Sequence, residues 1–246
     1  MTKFKIFTFL FIINLTVLWA QEYEFGVVAG GGNYIGDIGR EYYFYPNKLG
    51  GGIVFKRTVN QWFSVRLNFN YFQIAANDAE AESVGRIARD FSTHAQLLHF
   101  AMGVEYNFIA RNPFLTLQSI HKLTPYFFTG VGVGTYSGDL IRNTSLVPKN
   151  TNTGGYKFNG TNINIPMVLG IKYKAARHFI IAMEAGVYYY FTDNLDGSYS
   201  LYGNEDRLIK DGIVPTTNTH SNDWYSFTSI SFIYTFGDLS CYFNLR

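Results

Sequence analysis

The chain has 246 residues, of which 18% are aromatic and only 15% charged, and its formal net charge is +2. A near-neutral chain gives no electrostatic case for binding nucleic acid. The lone cysteine, Cys241, excludes an intrachain disulfide and any multi-cysteine metal site.

Lys3 and Lys5 precede an apolar stretch from Ile6 to Leu18, and the small residue Ala20 stands before Gln21. A basic start, an apolar core and a small residue at the break read as a signal peptide over residues 1–20. The stretch is too short, and too interrupted by Asn14 and Thr16, to span a bilayer as a helix. Gln21 is not the cysteine that lipoprotein processing requires. Removing residues 1–20 takes away two lysines and no acid, so residues 21–246 carry no net charge. No run of ~18 apolar residues follows, so any membrane crossing must be made by strands.

Residues 21–246 read as one domain: an all-β, eight-stranded, antiparallel, up-and-down transmembrane barrel. The strands expected in chain order are Tyr23–Asn33, Leu49–Arg57, Trp62–Ile74, Leu97–Phe108, Pro125–Tyr136, Asn162–Tyr173, Phe179–Phe191 and Trp224–Phe236. The fourth is the clearest. Leu98, Phe100, Met102, Val104, Tyr106 and Phe108 make one apolar face, and His99, Ala101, Gly103, Glu105 and Asn107 make the other. Side chains in a strand alternate faces with period two, so such a strand turns one side to lipid and one to a lumen. The third strand repeats the pattern with Phe63, Val65, Leu67, Phe69 and Tyr71, and the sixth with Ile163, Ile165, Met167, Leu169, Ile171 and Tyr173.

Connections alternate in length. Thr58–Gln61 and Lys174–His178 are tight turns, whereas Tyr34–Lys48, Ala75–Gln96, Ser137–Thr161 and Thr192–Asp223 are long, polar and glycine-rich. Short turns on one side and long loops on the other place both termini in the periplasm of an outer membrane. An eight-stranded barrel is nearly filled by its own side chains, so a wide channel is not expected.

Six charges fall on the inward face. Glu24 with Lys56, Arg66 with Glu105, and Lys172 with Glu184 form opposite-sign pairs on adjacent strands, as a narrow lumen requires. On that reading Glu105→Ala costs more alone than together with Arg66→Ala, because the single change strands a buried cation.

No catalytic constellation, cofactor motif or metal site stands out, and no small-molecule substrate is evident. Gly130, Gly132 and Gly134 share one strand face and read as small lumenal residues, since a phosphate cradle needs a helix behind its glycines. Asp193, Asp196 and Gly197 hint at a calcium loop, but Leu195 occupies a ligand position. The five histidines show no ligand spacing.

Two elements on the turn side exceed turn length. In Ile109–Thr124, the residues Phe114, Leu117 and Ile120 or His121 recur at helical spacing. The tail Gly237–Arg246 carries Tyr242, Phe243 and Leu245 beyond the last strand. Phe114, Leu117, Ile120, Tyr242 and Phe243 are therefore candidate docking residues for a partner.

The run Asn33-Tyr34-Ile35-Gly36-Asp37-Ile38-Gly39 follows the first strand, Pro46-Asn47 precedes the second, and Thr124-Pro125-Tyr126 opens the fifth. Glu184 is followed by Tyr190-Phe191-Thr192-Asp193-Asn194-Leu195-Asp196, and the last strand runs from Trp224-Tyr225-Ser226-Phe227-Thr228 to Tyr234-Thr235-Phe236-Gly237. This ordered set, with Tyr34, Gly36, Asp37, Asp193 and Asp196 as its loop residues, resembles the PorG-type barrels of Bacteroidetes. The resemblance implies a non-enzymatic outer-membrane component of the type IX secretion system, set among outer-membrane lipids beside the periplasmic ring of PorK and PorN. A small porin-like or receptor barrel unrelated to secretion is the alternative that the residues leave open.

Overall fold

The period-two alternation closes on itself. The computed structural model describes residues 22–35, 38–40, 42, 44, 46–110, 123–142, 156–192, 195 and 222–236. Its strands are β1 (Tyr23–Ile35), β2 (Lys48–Thr58), β3 (Phe63–Asn77), β4 (Phe91–Asn107), β5 (Leu123–Arg142), β6 (Tyr156–Lys174), β7 (Phe179–Tyr190) and β8 (Trp224–Phe236). Each pairs antiparallel with the next, and β8 pairs back with β1 from Tyr23↔Phe236 to Ile35↔Trp224, which closes the barrel. The expected fold class is the observed one. The signal peptide expected over residues 1–20 lies outside the described residues.

Polarity is inverted relative to a water-soluble barrel. Phe69, Leu98, Phe100, Met102, Val104, Ile163, Leu169, Ile171 and Phe232 stand exposed on the outside, while Lys56, Arg66, Asn68, Asn70, His99, Glu105 and Lys172 are buried within. An exposed apolar belt of this extent is a surface for lipid. Aromatic side chains rim both edges of the belt. At the end bearing the tight turns, Trp62 stacks on Tyr106 at 6.3 Å, and Phe179 and Phe236 pack on Tyr234 at 5.1 and 4.6 Å. At the loop end, Tyr189 packs on Trp224 at 4.6 Å and on Phe191 at 5.1 Å. Trp224 to Tyr234 along β8 spans about 25 Å of barrel height, at ~3.3 Å per residue and a tilt of ~40°.

The wall is uneven. β5 and β6 have 20 and 19 residues, whereas β2 and β7 have 11 and 12. Several segments read as loops are therefore strand. Phe91–Gln96 belongs to β4, Ser137–Arg142 to β5 and Tyr156–Thr161 to β6. Within the expected loop Ala75–Gln96, a 3-10 turn (Asp78–Glu80) and a short helix α1 (Val84–Arg89) cap the β3–β4 hairpin. Pro166 sits inside β6, and its missing N–H coincides with the one break in the β5–β6 register, opposite Gly130.

The lumenal glycines make room. A Cβ on Gly134 would fall 1.8 Å from the Tyr190 hydroxyl, and one on Gly170 would meet Tyr126 at 2.5 Å. Gly134→Ala is therefore expected to cost ~1–3 kcal/mol through overpacking. Adding Tyr190→Phe, which removes the clashing oxygen, should recover more than half of that loss in urea unfolding of the bilayer-inserted barrel.

Candidate functional site

Inward positions of β2, β3, β4, β6 and β7 stack charges in the turn-side half of the lumen. Glu105 on β4 is the hub. Its carboxylate accepts from Lys172 on β6 and lies 2.7 Å from Lys56 Nζ on β2 and 3.2 Å from Arg66 Nη1 on β3. Arg66 also crosses the barrel: its two terminal nitrogens donate to both oxygens of Glu184 on β7, at 2.7 and 2.9 Å. Such a two-pronged pair fixes geometry as well as charge. Arg66 Nε donates to Asn68 at 2.7 Å, and Lys172 Nζ donates to Asn107 at 2.9 Å.

Tyr126 fills the middle of this layer. Its hydroxyl donates to Glu184, and its ring lies 5.2 Å from Lys56 Nζ and 4.6 Å from Lys172 Nζ. The Arg66 guanidinium rests 4.7 Å from the Phe128 ring. Glu24, buried on β1, stands opposite Lys56 in the strand register. Within this layer the cations Lys56, Arg66 and Lys172 face the carboxylates Glu24, Glu105 and Glu184.

The pairing differs from the one expected. Arg66 does reach Glu105, but Lys172 turns to Glu105 and Asn107, and its expected partner Glu184 is held by Arg66 from across the lumen. The reason is the small bore. Strands on opposite walls are close enough for a long arginine to span, so partner choice is not limited to neighbouring strands.

A second, aromatic layer lies towards the loops. Tyr188 stacks on Tyr225 at 4.5 Å, Phe72 packs against Tyr225 and Phe227 at 4.7 and 5.2 Å, and His99 meets the Tyr188 ring edge-on at 5.0 Å. His99 Nε2 lies 3.0 Å from Asn164 Oδ1. Above it two buried acids tie the loops down. Asp223 accepts from the Tyr34 hydroxyl at 2.7 Å and from the Leu195 N–H at 2.8 Å. Asp78 accepts from the N–H groups of Gly39 and Phe91 at 2.9 and 3.1 Å. Gly39 adopts φ +86°, which a side chain resists, and a Cβ there would press on Ala76 at 2.8 Å.

Tyr34 is thus the loop-motif residue whose contacts are described. Gly36, Asp37, Asp193 and Asp196 lie outside the described residues, as do the docking candidates Phe114, Leu117, Ile120, Tyr242 and Phe243. The sequence reading assigned no part in the charge layer or the loop ties to Tyr126, Asn107, Asp78 or Asp223. The alternation marks Tyr126 and Asn107 as inward, but nothing in the order of residues marks the two acids. Among the described residues no group of three or more His, Cys, Asp or Glu could hold a metal ion. What this layer does chemically is neutralise buried charge.

Removing Glu105 takes a carboxylate away from Lys56, Arg66 and Lys172 together and leaves Lys172 with Asn107 as its hydrogen-bond acceptor, so Glu105→Ala is expected to cost ~3–5 kcal/mol of unfolding free energy. The second-site change that relieves it is Lys172→Met, which discards one of those cations. Arg66→Ala, expected from the sequence to relieve it, instead leaves Glu184 without its cation and should deepen the loss. Urea unfolding of Glu105→Ala alone and combined with each second change separates the two.

Solved structures share this architecture. A major outer membrane protein from Thermus thermophilus matches with a TM-score of 0.50 and 18% identity over 87% of this chain and 99% of that one. Ail, the attachment invasion locus protein of Yersinia pestis, matches at TM-score 0.44 and 12% identity over 88% and 99% of the two chains. The outer membrane enzyme PagL matches at TM-score 0.37 and 12% identity over 85% and 97%. At these identities the likeness concerns fold, and the fold is the eight-stranded outer-membrane barrel. No curated protein matches the chain. A family model, described as a domain of unknown function (DUF6089), matches residues 3–244, and the chain belongs to that family.

Proposed function

We propose that this protein is a non-enzymatic outer-membrane anchor of the type IX secretion system, contacting a periplasmic ring of the PorK/PorN type. The observation that carries the first half is the filled lumen. Lys56, Arg66, Glu105 and Tyr126 are at most 2% exposed and form a layer across the bore, with the aromatic layer and the Asp78 and Asp223 ties stacked beyond it. A porin needs a solute-wide path, and a receptor needs an open cleft. A plugged barrel supplies instead a rigid membrane post. The second half rests on the resemblance to PorG-type barrels in the loop runs around Tyr34 and Leu195 and in the closing strand.

On this reading residues 1–20 are removed on export, the tight turns and both termini face the periplasm, and the long hairpins face outward. Ring contact then falls to the turn side, to Ile109–Thr124 and the tail Gly237–Arg246. Phe114→Asp, Leu117→Asp or truncation after Gly237 should leave a heat-modifiable barrel in the membrane. In mild-detergent pull-downs followed by mass spectrometry, these variants should lose the ring proteins that accompany the unaltered chain. Retention of the ring by all three, with loss on deleting outward loops, would overturn the assignment, and so would an unaltered chain that brings down no ring protein.

A further inference from the structure

The lipid belt does not end in the same way all round the barrel. On the β7–β8 side its loop-end limit is aromatic, with Tyr189 packed against Phe191 and Trp224. From β3 to β6 the outward side chains climb through three rows, each in register across four strands. Phe69, Phe100, Val133 and Ile163 are the last wholly apolar row. Tyr71, Leu98, Thr135 and Thr161 follow, with the two threonine hydroxyls 3.1 Å apart. Gln73, Gln96, Ser137 and Asn159 stand above them, and every side chain of the three rows is exposed.

The amide and hydroxyl row has a chemistry of its own. Each Gln and Asn side chain offers donors and an acceptor, and the Ser hydroxyl offers both as well. Neither polar row holds a Lys, Arg, Asp or Glu. The next row up sets Asp139 between His94 and Lys157, so its one full cation already faces an anion. A phosphodiester accepts hydrogen bonds but donates none, and Arg or Lys is what recognises it. The top row therefore suits a neutral group that both donates and accepts. Strands spaced at ~4.8 Å spread its four side chains over about 14 Å, which fits a headgroup with many hydroxyls better than a point charge. The turn-end rim is the opposite. There Arg57 lies outward, opposite Tyr23 and Val65, and Arg177 is exposed in the turn between β6 and β7.

We infer that Gln73, Gln96, Ser137 and Asn159 bind the neutral, polyhydroxyl headgroup of a glycolipid in the loop-side leaflet. The row continues the lipid interface without a gap. A lipid whose acyl chains cover Phe69, Phe100, Val133 and Ile163 carries its headgroup to the height of the amides. Tyr71 and the paired threonines sit where chain meets headgroup, a position that suits amphipathic side chains at a membrane surface. A phospholipid is drawn instead to the arginines of the turn end. The inference is independent of the secretion reading, because it needs only the barrel in a bilayer.

The test offers the full chain, in mild detergent, equal amounts of digalactosyldiacylglycerol, phosphatidylglycerol and phosphatidylcholine with matched acyl chains. Native mass spectrometry then counts the lipids that stay bound. The unaltered chain should retain the glycolipid at least about fivefold over either phospholipid. Gln73→Leu with Gln96→Leu should bring that ratio below about twofold while the chain keeps its heat-modifiable mobility. If that pair fails to fold, Ser137→Ala with Asn159→Leu serves in its place. Arg57→Gln, at the other rim, should leave the glycolipid preference unchanged. Three results would overturn the inference: no preference for the glycolipid over phosphatidylglycerol, a preference that survives the row variants, or one that is lost in Arg57→Gln.

Discussion

A guanidinium that spans the bore is the constraint on which the rest depends. Arg66 pairs with Glu184 on the opposite wall while touching Glu105 beside it, so β3, β4 and β7 are held at fixed distances through the lumen. Burying charge in a low-dielectric space is costly unless every charge is answered. Six of them are answered here within one layer, and Tyr126 lies against both lysines of that layer and bonds the carboxylate that Arg66 holds. The layer forms because the barrel is narrow enough for Arg66 to reach the opposite wall, and its members are almost fully buried.

The remaining architecture follows from that sealed centre. Glycines at lumenal positions of β5 and β6 admit the rings of Tyr190 and Tyr126, so the wall yields to the plug rather than the reverse. At the loop end Asp78 and Asp223 accept from the backbone N–H groups of Gly39, Phe91 and Leu195, donors that would otherwise be unsatisfied. A structure invested in closing its interior leaves its surfaces as the place where function can act: the lipid belt, the turn-side rim and the tall β4–β6 wall.

The strands inside the belt were legible in the sequence because lipid on one side and lumen on the other enforce period-two alternation, as in Leu98 to Phe108. The strand extensions were not. Above the belt the outward positions turn polar, at His94 and Gln96 on β4, Ser137 and Asp139 on β5, and Lys157 and Asn159 on β6, so a strand in water reads as a loop. The inward charges were legible one by one through their parity. Their partners were not, because the Arg66–Glu184 pair joins strands that meet only when the barrel closes. Asp78 and Asp223 look like ordinary loop acids until their buried backbone donors are seen.

Arg66 and Glu184 join β3 to β7 across the lumen. A double-mutant cycle with Arg66→Met and Glu184→Gln, read by urea unfolding of the bilayer-inserted barrel, tests it most directly. A coupling of at least about 2 kcal/mol is expected, with the double variant more stable than the sum of the single losses implies. Additive losses would contradict it, because they would mean that the two walls are not joined through these side chains.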